Sequence, residues 1–311
     1  MIKPYLNYQQ QIEKLKKQGL IINDEEYATG ILTDIGHSPL IGGYKMPFIN
    51  PMTRKYLPDT TFEDIVALYD FDKSLRDLTL SNLLRIERKV GQLITNSFCS
   101  RFGPQQSFYL SPSSYTHNSK KQPRVQKLIG KLKWLANNDT NHDYITHQRK
   151  TYGNVPFWEL RKALTFGNIS AMYSLLLPQQ QSDVSKAYSH VTENELEIYL
   201  NALTFFRNIC AHSERLYCHR MSQMYFPDKP LHIKLGIPKK GQQFIQGKND
   251  YFGLVIAMRY LLPKDQFSDY KKSLKKLILA FQKRSSRIPY SDLLEYMGMP
   301  DNWEKITRFR L

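Results

Sequence analysis

The sequence predicts an all-α fold on three grounds: apolar residues recur at helical spacing through its longest stretches, Thr or Asp signals open them, and Gly or Pro closes them. A hydrophobic content of 41% with 13% aromatics marks a folded globular chain rather than a disordered one. At 311 residues the chain can bury a large core in one domain or two.

Three stretches follow from these signals. Residues 1–58 are an N-terminal helical extension, with one helix near Tyr8–Gln18 stopped by Gly19 and a second near Asp24–Ile35. The Gly and Pro density of GHSPLIGGYKMPFINPMTRKYLP then predicts a structured loop. Residues 59–226 are the helical core. Thr60 or Thr61 caps a helix with Glu63 and Asp64 in its first turn, and this helix runs to Gly103-Pro104. Its stripe of Arg76, Leu80, Leu83, Glu87, Gly91 and Ile94 puts a guanidinium and a carboxylate on a mainly apolar face, where each needs a partner. Glu87 either orients an Arg or His on a facing helix or makes a structural ion pair with Arg76 or Arg207.

A Ser/Pro/Gln-rich loop covers 104–122, helix resumes over 123–150, and VPFWELRKALTFG reads as a helix from Pro156 to a stop at Gly167. A short helix from Asn168 or Ser170 reaches Leu177 before Pro178, and another precedes Thr192. Residues 227–311 are a basic helical region packed on the core. There LHIKLGI fits a brief strand, and helices are expected at Tyr251–Leu262 and Gln266–Lys283, the second burying Leu274, Leu277, Ile278 and Phe281.

Residues 192–220, TENELEIYLNALTFFRNICAHSERLYCHR, read as one long helix. Thr192 and Glu195 form a capping box, and Leu196, Leu200, Leu203 and Phe206 supply its buried side. Beyond Phe206 a polar stripe of Asn208, His212, Arg215 and His219 extends an otherwise apolar rod. Polar groups there are costly unless something receives them. Within the stripe Arg207 and His212 are separated by four residues, with Asn208 next to the Arg. Alone, this pattern is weak and needs context.

Charge supplies part of that context. Forty-four Lys and Arg against 28 Asp and Glu give a formal +16, which favours a polyanionic partner. Residues 115–162 carry ten cations against three acids, interleaved with Trp134, Tyr144 and Tyr152, a composition suited to phosphate contact and base stacking. Lys120, Lys121, Arg124 and Lys127 are the RNA-binding candidates there. Residues 227–311 carry 17 cations against eight acids and add Lys271, Lys272, Lys275, Lys276, Arg284 and Arg287. Arg215 and His219 complete the set, beside the Arg/His pair. A solvated surface is the plain alternative for any single one of these charges.

Cys99, Cys210 and Cys218 are an odd count without a C-x-x-C pair, which fits a reducing compartment and neither a disulfide framework nor a zinc site. His142 and His147 lack an acid in ligand spacing, so no metal site and no cofactor are expected. No apolar run approaches the ~18 residues of a membrane span, and the N-terminus lacks a signal-peptide core. The expected location is the cytoplasm.

Together KPYLNYQQQIEKLKKQGLIINDEEYA, TTFEDIVALYDFDKSLRDLTLSNLLRIERKV, VPFWELRKALTFGNIS and LTFFRNICAHSERLY resemble the Abi family of bacterial abortive-infection proteins, of the AbiD/AbiF type, over residues 3–220. The resemblance implies a HEPN-like helical bundle, whose signature is an Arg followed by a polar residue and, four to six positions on, a His. Arg207, Asn208 and His212 stand at those positions. It also implies anti-phage defence through RNA cleavage or RNA-binding toxicity, with a small structured non-coding RNA as a partner of some members.

Metal-free RNA cleavage needs a base for the ribose 2′-hydroxyl and a cation for the charge on phosphorus, roles that suit an imidazole and a guanidinium. Five positions place Arg207 and His212 about 140° apart round an ideal helix, so two facing copies aim both at one phosphate better than one copy does. The expectation is a homodimer with a composite cleft, His212 of both protomers as base and acid, Arg207 as phosphate clamp and Asn208 holding the geometry. The alternative is an RNA-binding module without turnover, in which Arg207 and His212 merely cap and pack a helix end. A third reading is a bundle that contacts only proteins.

Overall fold

Capping chemistry decides where the chain enters its helices. The structure, a computed structural model, describes residues 4–311. Asn7 accepts from the Gln10 amide at the head of α1 (Tyr8–Lys17), and Asp24 accepts from the Tyr27 amide at the head of α2 (Glu25–Ile35). Gly19, at φ +92°, turns the chain between them. The Gly/Pro-rich stretch is structured by a π turn at Ser38–Gly42 and a 3-10 turn at Met46–Phe48, which bury Leu40, Ile41, Tyr44 and Phe48. Thr61 and Asp64 then form a reciprocal capping box that opens α3 (Phe62–Phe102).

Next come α4 (Gln106–Tyr109), α5 (Gln122–Asn138), α6 (Asp143–Tyr152) and α7 (Phe157–Leu160). The single helix expected over 123–150 is therefore two. Buried Asp139 breaks it, because its carboxylate accepts from the His142 amide at 3.1 Å and bonds the His142 ring Nδ1 at 2.9 Å. Gly167 is not a stop: Thr165 and Asn168 form a capping box that starts α8 (Phe166–Leu175), with Gly167 in its first turn. Pro178 opens a helix, α9 (Pro178–Ser185), instead of only closing one.

The Thr192–Glu195 box opens α10 (Glu193–Ala211) as read from the sequence, but the helix ends at Ala211 and not near Arg220. His212 is its C-cap and Ser213 adopts φ +57°. Arg215 and His219 consequently lie off the helix, and the four-residue polar stripe does not form. Nor is LHIKLGI a strand. Pro230 starts α11 (Pro230–Lys234), and β1 (Lys239–Lys240) pairs antiparallel with β2 (Gln243–Phe244) just beyond it. The expected helices are α12 (Tyr251–Leu261) and α13 (Lys264–Arg284), the latter burying Phe267 and Tyr270 with Leu274, Ile278 and Phe281 while Leu277 is half-buried. An unforeseen α14 (Tyr290–Met297) and a 3-10 turn at Trp303–Thr307 follow.

The axis of the fold is α3. Helices α8, α9 and α10 pack against it, and α13 also packs along it. Buried side chains from all three stretches of sequence join one hydrophobic cluster running from Ile12 to Ile306. Apart from the small hairpin the described residues are all-α. None of their helices is long and apolar enough to cross a membrane.

Candidate functional site

The chain leaving α10 is held by a carboxylate 140-odd positions earlier. Asp72 of α3 is fully buried and accepts from Tyr44 Oη at 2.7 Å, Arg76 Nη1 at 2.7 Å, the Tyr217 amide at 2.7 Å and the Leu216 amide at 3.1 Å. Arg76 Nη1 donates in turn to the Glu214 carbonyl at 3.3 Å. Burial pushes the Asp72 carboxyl up, and Arg76, Tyr44 and the two amides pull it back. The node joins the Gly/Pro-rich loop, α3 and residues 214–217, so it fixes the path of the chain immediately after His212.

At the end of α10, Asn208 and His212 are exposed and Arg207 is half-buried. Neither the His212 ring nor the Asn208 amide has a hydrogen-bond partner among the described residues. Glu87 on α3 acts electrostatically on Arg207. Burial raises the Glu87 carboxyl above its ordinary range and Arg207 opposes the rise. The two make no ion pair within 4.0 Å, and both Glu87 Oε2 and Arg207 Nε are buried without a hydrogen-bond partner. Arg76, the other partner considered for Glu87, is taken by Asp72.

Below this helix end a cleft of about 780 Å³ opens between α2, the Gly/Pro-rich loop and residues 213–220. Arg215 Nη1 closes one side by donating to the Gly43 carbonyl at 2.8 Å. Arg220 ties the other side to α14 through the Tyr296 and Glu295 carbonyls. His219 lines the cleft with its ring centroid 5.1 Å from Phe205. Burial holds its imidazole below the ordinary value, with Arg215 and Arg220 adding to the effect and Glu214 opposing it.

The sequence model of the family described as Abi-like protein matches residues 30–218, a span that takes in the second half of α2, all of α3, the Asp72 node and the whole of α10. The chain belongs to the Abi-like protein family. Membership suggests a part in abortive infection, the defence of bacteria against phage. No curated protein and no solved structure matches the chain.

The remaining cations of this Abi-like protein lie elsewhere. Lys121 donates to the Ser174 carbonyl at 2.9 Å and faces Glu197 at 3.8 Å, and Arg124 donates to Ser174 Oγ at 2.9 Å. These contacts place the Lys120–Lys127 group against the first turns of α10, about 22 Å along the axis from His212. Lys120 and Lys127 are exposed, and Trp134 nearby is 47% exposed with Lys131 over its ring. Of the cations named on and just beyond α13, most are engaged. Lys271 donates to the Glu304 carbonyl, Lys275 pairs with Glu304, Lys272 with Asp269, Arg284 with Asp70 and Arg287 with Asp59. Lys276 is exposed and, like Lys264 and Lys283 on the same helix, has no ion-pair partner among the described residues.

Sequence reasoning missed Asp72 and Tyr44. The signal available was Asp72 and Arg76 four positions apart, an i,i+4 pair on a face already seen to be apolar.

Proposed function

We propose that this Abi-like protein is an RNA-binding protein of phage defence and a metal-independent endoribonuclease of HEPN type, acting as a homodimer. The observation that carries the reading is the end of α10, where an unpartnered, exposed imidazole at the C-cap follows Asn208 and Arg207 within the final turns of a helix in a chain of net charge +16. One such end supplies one imidazole. Cleavage by transesterification needs two proton transfers, so the second His212 comes from a facing copy. One His212 takes the 2′-hydroxyl proton as that oxygen attacks phosphorus, the other gives a proton to the departing 5′-oxygen, and a 2′,3′-cyclic phosphate remains. Arg207 stabilises charge on the phosphoryl oxygens, Asn208 holds the cleft, and Glu87 orients Arg207 from behind.

RNA ends decide the reaction class: products with 2′,3′-cyclic phosphate formed in the presence of EDTA support it, and 3′-hydroxyl ends count against it. Sedimentation of the active species tests the composite cleft, which a strictly monomeric nuclease excludes.

The second reading, an RNA-binding module without turnover that holds a small non-coding RNA, is favoured by one observation. Arg207 Nε is buried and the side chain faces Glu87, as a structural arginine would.

A further inference from the structure

We propose that the cleft between α3 and the α12–α13 corner is a phosphate-binding site shaped for a nucleotide unit. Arg85, Arg88 and Lys89 of α3 and Arg161, just after α7, line this cleft of about 600 Å³, and no carboxylate is among its lining residues. None of the four makes an ion pair among the described residues, although Lys162 next door pairs with Glu159 at 2.5 Å. Positions 85, 88, 89 and 92 share one face of α3, so like charges sit at the i,i+3 and i,i+4 spacings that destabilise a bare helix.

Arg161 is the least satisfied member. Its side chain lies flat over Gly91, where an added Cβ would meet Arg161 Cδ and Nη1 at 3.1 Å. Its Nε is buried without a partner, and its Nη2 has only Gln92 Oε1 at 3.4 Å. Burial and the nearby Arg88 both work against its charge. An anion in the cleft reverses each of these costs. Guanidinium forks match the oxygens of a phosphate two at a time, and three of them around one space suit a multi-oxygen anion better than a single carboxylate. The opposite wall, Leu261, Leu262 and Pro263, is apolar and leaves room for a ribose and base beyond the phosphate. In the form of an RNA phosphodiester the inference rests on the RNA-binding reading above; as a phosphate site it stands without it.

The test uses the full chain, a fluorescein-labelled single-stranded RNA followed by anisotropy over a range of salt, and AMP followed by calorimetry. Arg88→Gln, at an exposed position, and Arg161→Gln are each expected to weaken RNA binding about tenfold and to lower the slope of log K against log salt by about 0.7, the loss of one phosphate contact on a single strand. Lys17→Gln on α1, which removes the same charge elsewhere, leaves both unchanged. If AMP binds and both arginine variants abolish it while RNA binding is untouched, the site stands and its ligand is a free nucleotide. Should Arg161→Gln fail to fold, Arg88→Gln decides. Variants that bind RNA and AMP as the wild type does overturn the site but leave the RNA reading intact, and a wild-type chain that binds neither overturns both.

Discussion

Replacing Asp72 with Ala removes the acceptor for four donors at once. Arg76, 4% exposed, is left as a buried unpaired guanidinium, a state that costs about 3–5 kcal/mol when one member of such a pair is deleted. The Leu216 and Tyr217 amides and the Tyr44 hydroxyl lose the acceptor of their donated bonds as well, at about 1–3 kcal/mol for each group that water does not reach. These costs overlap because the groups share one site, so the expected loss is at least about 4 kcal/mol, a large part of the ~5–15 kcal/mol typical of a folded domain. Urea unfolding followed by circular dichroism measures it. A cycle of Asp72→Asn, Arg76→Met and the double variant isolates the pair: the double variant is expected to be about 2 kcal/mol more stable than the sum of the singles predicts. Hydrogen exchange at the amides of Leu216 and Tyr217 rises in Asp72→Ala, because their shared acceptor is gone. A cost under about 1 kcal/mol for Asp72→Ala, or singles that add within about 0.5 kcal/mol, refutes the reasoning.

Three further outcomes follow from the folded chain. Burial raises the Asp250 carboxyl to about 6, so the folded state binds its proton more tightly than the unfolded chain does. Its contribution therefore falls by up to about 3 kcal/mol as pH rises from about 4 to about 6, and the wild-type minus Asp250→Asn difference in unfolding free energy declines across that window; a flat difference contradicts this. Gly298 sits at φ +69°, and a Cβ there would lie 2.3 Å from the Asp250 carboxylate, so Gly298→Ala is expected to cost at least about 2 kcal/mol in the same unfolding assay. Burial pushes the Cys210 thiol up to about 12, so at pH 8 it reacts with a thiol reagent far more slowly in the native chain than in urea.

Much of the fold was legible because its signals are local. Capping at Asp24, at Thr61–Asp64 and at Thr192–Glu195 is written within three or four residues, and the helices start where these signals stand. Misreadings arose where a local rule met a stronger neighbour. Gly167 looks like a stop until the Thr165–Asn168 box is weighed against it, and Asp139 breaks a helical pattern through a bond to a residue three positions on. The end of α10 depends on Asp72, a partner far away in sequence, and no periodicity reveals that. The positions of Arg207, Asn208 and His212 at the end of α10 were readable because all three lie within six residues. The state of the basic residues was not, since composition cannot distinguish Arg284, held by Asp70, from Arg88, which has no ion-pair partner among the described residues.

The most direct test of the account is His212→Ala, assayed for RNA cleavage and RNA affinity side by side in EDTA. Because His212 is exposed and its ring has no hydrogen-bond or ion-pair partner among the described residues, the variant is expected to fold and to bind RNA with the wild-type affinity and salt slope while forming no cyclic-phosphate product. Cleavage at the wild-type rate by that variant contradicts the claim that the end of α10 carries the chemistry.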